Sequence, residues 1–256
     1  MRLIVFSFCF LILSSIAYAQ VNTEAMRLLD LEPGWYNKLG LSLDYSSGNT
    51  NILAFKTSFR SDYVWKSSHT FVVTNFRLGR KDGKSFTNRG FAHLRDIYAL
   101  SQMVMIEGFL QKQFNESIRL DDRELAGGGL RLVVMHPKKK SKYLSLMYLY
   151  VGIGAMWEYE KLNTDEALET NLLRSTNYVT GRLELSERVT ASTTCYFQPD
   201  LEQPSDYRIL LEGNLQLDIA DNLSFSNKLS LRYDSEPPSD VKNTDLEIVH
   251  GINISF

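Results

Sequence analysis

The chain has 256 residues, with 28 lysines and arginines against 30 aspartates and glutamates, a formal charge of −2. That balance gives no reason to expect nucleic acid. With 44% hydrophobic residues, 12% aromatics and only 6 prolines it is too apolar for a disordered chain.

Met1 and Arg2 make a short positive start, and residues 3–16 are a mostly apolar run. Ala17 and Ala19 then put small residues at the two positions a signal peptidase reads, so residues 1–19 are expected to be a secretory signal cleaved before Gln20. The run is shorter than the roughly 20 residues of a spanning helix, which argues against an uncleaved anchor. Gln20 stands where a lipoprotein would have cysteine. Cys9 leaves with the signal and Cys195 remains alone, so an internal disulfide is excluded. Residues 20–34 are too short for a domain and are read as a periplasmic lead-in. Beyond them no stretch reaches about 18 uninterrupted apolar residues. The nearest, Tyr143 to Trp157, is broken by Ser145, Gly152 and Gly154, which argues against a helical membrane protein.

From residue 35 to 256 the governing pattern is alternation with period two. Leu39, Leu41, Leu43 and Tyr45 alternate with Gly40, Ser42 and Asp44. Leu53, Phe55, Phe59, Tyr63 and Trp65 alternate with Lys56, Ser58, Arg60 and Asp62. The same holds from Tyr207 to Ile219, from Leu223 to Tyr233, and from Asp245 to Phe256, where His250 interrupts the apolar face. Successive strand side chains point to opposite faces, so such a pattern places a wall between two solvents. Weaker stretches at 70–80, 89–100, 103–115, 123–135, 143–159, 174–186 and 188–198 bring the count to twelve. In 89–100 His93 and Asp96 differ in parity and cannot share the polar face.

The strands so read run to about 10 to 17 residues, against five or six in soluble domains and roughly 9–11 for a tilted bilayer crossing. The fold class expected is all-β, a transmembrane antiparallel up-and-down barrel of about twelve strands. A soluble lipid-binding barrel would alternate too, but with about eight. Connections alternate in length. The even ones (66–69, near 101–102, 136–142, 186–188, 220–222) are expected on the periplasmic side. The odd ones (46–50, 81–86, 116–122, 161–171, 199–206, 234–243) are expected outside and longer. The basic turn at 136–142 is the exception. Aromatics gather towards strand ends, as interfacial girdles do: Trp35, Tyr36, Tyr63, Trp65, Trp157, Tyr159, Tyr207, Tyr233 and Phe256.

The polar face carries charges of both signs. Lys56, Arg60, Asp62, Arg131, Glu158, Arg182, Glu184, Arg208, Glu212, Lys228, Arg232, Asp245 and Glu247 are assigned to the lumen. They either pair across strands or line water. Twelve strands lie between the eight that side chains fill and the 16–18 of open porins, and a narrow or plugged lumen is the favoured outcome. Glycines 127–129 and Gly152 and Gly154 are read as sites of bending and close approach. Acidic residues Glu166, Glu169, Asp200, Glu202, Asp206, Asp234, Glu236 and Asp240 fall in the outer loops, as a solvated rim or a place for divalent cations beside lipopolysaccharide phosphates.

No enzyme signature is present. His69, His93, His136 and His250 sit in no metal-binding spacing, and there is no GxSxG elbow, phosphate loop or His-x-Ser pair. No catalytic residue, metal or cofactor is expected. The alternative, an embedded lipid-modifying enzyme, would have to use His93.

The last strand resembles the C-terminal signature read by the bacterial barrel assembly machinery. Gly251, Ile254 and Phe256 match it, while Val249 stands where a polar residue is usual. The chain also resembles the salt-induced outer-membrane proteins, a family of unknown function. LGLSLDYSSGNTN (39–51), RGFAHLRDIYAL (89–100), VMIEGFLQKQFNESIRLDDRELAGGGLRL (104–132) and the closing phenylalanine carry that resemblance. It implies an outer-membrane barrel made under salt or osmotic stress, a small polar channel or a structural envelope protein. The partners it implies are outer-membrane lipids, lipopolysaccharide and the assembly machinery. It brings no catalytic residue.

Overall fold

The computed structural model describes Glu24 and residues 31–135, 145–164, 168–220, 222–238 and 241–254. Twelve strands follow one another: β1 Gly34–Ser46, β2 Ile52–Trp65, β3 Ser68–Lys81, β4 Lys84–Ala99, β5 Val104–Asn115, β6 Leu120–Met135, β7 Ser145–Leu162, β8 Glu169–Ser186, β9 Val189–Pro199, β10 Tyr207–Ala220, β11 Leu223–Asp234 and β12 Thr244–Ile254. Each is antiparallel to its neighbours in one sheet ordered β1 to β12. The expected up-and-down architecture is therefore the one formed. The only helical piece among the described residues is the 3-10 turn Glu116–Ile118, capped by the Asn115 side chain.

The sheet is rolled, not flat. Neighbouring strands lie about 4.8 Å apart, so side chains three strands apart on a flat sheet are about 14 Å from each other. Yet Tyr178 on β8 donates from its hydroxyl to Glu107 on β5 at 2.9 Å, and Arg208 on β10 donates to Glu158 on β7 at 2.9 Å. Only a curved wall with these residues on its concave face brings them together. Among the described residues no ladder joins β1 to β12.

The convex face is apolar all the way round. Leu39, Leu41 and Leu43 of β1, Leu94 and Leu110 of β4 and β5, Ile153, Val179, Leu215, and Leu246 and Ile252 of β12 are all exposed. A soluble monomer rarely exposes a contiguous apolar patch beyond a few hundred Å², and here polar groups fill the inside instead. Ring clusters mark both rims: Trp35, Tyr63 and Trp65 at one, Trp157 with Tyr159 and Tyr207 with Tyr233 at the other. Polar groups interrupt the outer face in places, as where Asn227 and His250 meet midway along β11 and β12. Asp96 accepts from the Ser68 and Thr70 hydroxyls, and Lys112 pairs with Asp122 and Glu124.

Two expectations need correction. The connection read at 81–86 is not one of the longer ones, because β3 and β4 run up to a two-residue Asp82-Gly83 turn. Both residues have positive φ, 49° and 80°, the mirror-image turn whose twist matches a hairpin and which favours Asp-Gly. The odd connections also place fewer acids outside than their composition suggests, since Asp206 and Asp234 turn inward to bind arginines.

Candidate functional site

Ladder partners share a face, so the concave side can be followed from strand to strand. Asp62, Phe71, Arg95, Phe109, Gly127, Met156 and Arg174 are successive partners from β2 to β8. Gly152, Tyr178, Tyr196, Leu210, Arg232 and Asp245 continue from β7 to β12. All thirteen charges assigned to the lumen have this parity, but they do not share one environment.

The densest cluster surrounds Glu158, whose side chain is 0% exposed. Its carboxylate accepts from Arg123 Nε at 3.0 Å, Arg174 Nε at 2.8 Å and Arg208 Nη1 at 2.9 Å. Arg174 forks onto Asp206 at 3.1 and 2.6 Å. Arg208 reaches Glu160 at 2.7 Å and Asp234 at 2.8 Å, and Arg123 lies 3.2 Å from Glu160. Three guanidiniums and four carboxylates thus form a belt joining β6, β7, β8, β10, β11 and the β9–β10 loop. Burying one such pair is as apt to cost as to stabilise, because both ions lose water. Here each ion has several charge-assisted bonds to replace that water.

A second cluster lies one layer along. Arg131 and Arg95 flank the carboxylate of Glu24. Residues 20–34 were expected to be a periplasmic lead-in; the single described residue of 20–30 has its carboxylate inside the lumen. Glu107 lies 3.5 Å from Arg95 and accepts from the Tyr178 hydroxyl at 2.9 Å, while that hydroxyl accepts from Arg131 at 3.0 Å. Arg131 also sits over the Tyr150 ring, 4.0 Å from its centre. Between the clusters lies a cavity of about 20 Å³, walled by His93, Arg95, Arg123, Met156, Tyr196 and Gln198 among others. That is room for about one water. Leu210, 0% exposed, packs with Tyr178 and Tyr196 beside it.

The other assigned residues are spread out. Arg60 pairs with Asp62 at 2.5 Å, and His69 meets Asp62 at 2.9 Å. Glu212 meets Arg232 at 3.2 Å, and Asp245 is the ladder partner of Arg232. Arg182, Glu184 and Glu247 are half-buried, and Lys56 and Lys228 are exposed on the concave face of β2 and β11. Gly251 and Ile254 lie on β12, with Ile254 exposed on the outer face. Ala17, Ala19, Gln20, Phe256 and the basic turn around Lys139 lie outside the described residues.

Sequence reasoning missed Arg95, Glu107, Arg123, Glu160, Arg174, Tyr178 and Glu24. For three of them a signal was present. Arg123 has the parity of Arg131, Glu160 that of Glu158 and Arg174 that of Arg182. His93 is buried in the lumen, 3.0 Å from Gln111 and stacked on Phe109, and Asp96 faces outward, which resolves their conflict of parity. Gly152 makes room for a large inward neighbour, since a Cβ there would fall 2.0 Å from the Tyr178 ring. Gly154 differs: it lets backbones approach, its Cβ position being 2.4 Å from Gly128 O. No group of three or more acidic, histidine or cysteine side chains able to hold a metal ion occurs among the described residues.

A family model for proteins of unknown function, DUF481, matches residues 39–256. The chain belongs to that family. The DUF481 region runs from within β1 through β12, so it comprises the Glu158 cluster, the arginines that hold Glu24 but not Glu24 itself, and nearly the whole wall. No curated protein matches the chain. Among solved structures the DUF481 chain is similar to a NanC porin in a rhombohedral crystal form, with 10% identity, 86% of this chain and 99% of that one covered, and a TM-score of 0.44. It is also similar to the beta domain of the Bordetella autotransporter BrkA, with 9% identity, coverages of 87% and 98%, and a TM-score of 0.36. Scores this low decide nothing; the fold rests on strand order, register and the contacts across the lumen.

Proposed function

We propose that this chain is an exported, non-enzymatic barrel of the bacterial outer membrane, a structural envelope protein whose lumen is held shut by ion pairs. The observation that carries this reading is Glu158, wholly buried and shared by arginines from three strands. A lumen meant to pass solutes keeps its charges in water, and this one spends them on each other. The apolar convex face and the ring clusters at both rims fit lipid and lipopolysaccharide as surroundings. Export through cleavage after Ala19, assembly through Gly251, Ile254 and Phe256, and production under salt or osmotic stress come from the sequence and its resemblance. The absence of an enzyme role is supported by His93, which faces a packed lumen and not the lipid side.

A second reading, a narrow polar channel, is favoured by one observation. The concave face of β1, β2 and β11 stays exposed at Ser42, Lys56 and Lys228, which would give water a route past the belt. Refolded protein in a planar bilayer, measured across a salt series, separates the two. The structural reading expects a heat-modifiable band on a gel and no conductance steps. Stable open steps in every insertion would replace it with the channel.

A further inference from the structure

Glu24 is remote in sequence from the groups that hold it, 71 residues from Arg95 and 107 from Arg131. Among the described residues it belongs to no strand. Its carboxylate is nevertheless buried where two guanidiniums converge.

The holders are fixed by contacts that do not involve Glu24. Arg131 lies over the Tyr150 ring and donates to the Tyr178 hydroxyl. Arg95 sits 5.4 Å from the Phe109 ring centre and 3.5 Å from Glu107. These are cation–π and charge-assisted contacts that survive removal of the guest. Without Glu24, the carboxylate left beside Arg95 would be Glu107, 3.5 Å away and already accepting from the Tyr178 hydroxyl. A buried positive charge left uncompensated is costly, so a hole of this kind draws in an anion. Arg131 Nε, buried and without a hydrogen-bond partner, adds a donor that Glu24 leaves unused.

We propose that Arg95 and Arg131, the latter held in place by Tyr178, form a carboxylate-binding site in the lumen, with Glu24 as its tethered occupant, and that the site takes a free small carboxylate when Glu24 is gone. The proposal needs the barrel but not conduction, so its test does not depend on passage through the lumen. The full chain in detergent is melted in sodium chloride, sodium acetate and sodium phosphate at equal ionic strength. Wild type should melt alike in all three. Glu24→Ala should melt lower, and acetate should raise its melting temperature by roughly 5 °C over chloride once well above its Kd. Glu24→Gln, which keeps the volume and fills the site with a neutral amide, serves if the alanine variant does not fold; it should melt below wild type and gain less from acetate. Arg131→Lys in the Glu24→Ala background should lose the acetate response, since a lysine ammonium cannot keep the Tyr150 and Tyr178 contacts that fix Arg131 and still reach the carboxylate. Equal melting of both Glu24 variants and wild type, or an acetate effect that persists with Arg131→Lys, would overturn the proposal. Phosphate matching acetate would replace a carboxylate site with a general anion hole.

Discussion

The two sides of the barrel are built from the same alternation and end differently. From β4 to β10 the concave face is closed, with Arg95, Glu107, Arg123, Arg131, Glu158, Arg174, Tyr178, Tyr196 and Leu210 all buried. On the flank formed by β1, β2 and β11, joined by the far end of β10, the same face carries Ser42, Lys56, Gln216 and Lys228, all exposed. The outer faces of both regions expose large apolar side chains, Leu39, Leu41 and Leu43 on one and Leu110, Ile153 and Val179 on the other. Alternation therefore specifies the wall, while the size and charge of the inward residues decide whether the lumen fills. Arginine and tyrosine span the distance to a facing strand, whereas serine is too short to do so.

The largest test of that contrast is Glu158→Ala. It leaves Arg123, Arg174 and Arg208 without their shared carboxylate, and removing one partner of a buried ionic cluster costs about 3–5 kcal/mol. The temperature at which the folded, fast-migrating gel band converts should fall accordingly. Lys228→Ala on the flank should move it by less than about 0.5 kcal/mol. Next comes Gly129→Ala. Its Cβ would lie 2.4 Å from the backbone oxygen of Ile153, a contact no rotamer relieves, so a loss of about 1–3 kcal/mol is expected. Gly213→Ala, whose nearest neighbour would be 4.0 Å away, should be close to neutral in the same melt. The smallest energetic effect tests access. In a Cys195→Ser background, Ser42→Cys on the flank should react with a water-soluble thiol reagent at least about tenfold faster than Thr180→Cys in the packed arc, where reaction must wait for opening. Equal rates would erase the contrast.

The twelve strands were legible because a wall with an apolar outside and a polar interior imposes period two on most of them. The filling of the lumen was only partly legible. In β3 the inward residues Phe71 and Val73 are apolar and pack with Ile97 of β4, so polarity no longer separates the faces and register is lost. Arg174 fell at the tip of a strand read as starting at 174, whereas β8 begins at Glu169. Bulges at Leu120/Asp122 and Gly79/Arg80 shift the ladder near strand ends, where a two-residue count fails. Asp206 and Asp234 look like rim acids until the arginines they serve are placed in space. No local pattern reveals Glu24, because its partners are set by the roll of the sheet.

The membership of the belt bears on the order in which such a wall could be built. None of Arg123, Glu158, Glu160, Arg174, Asp206, Arg208 and Asp234 lies on β1 or β12. Backbone groups at an open margin cost several kcal/mol each in hydrocarbon, so the meeting of first and last strands is the step a membrane penalises until it is done. The interior charges need not wait for it. Strands β6 to β11 can neutralise one another while the two margins are still apart, which separates the electrostatic completion of the lumen from the sealing of the cylinder.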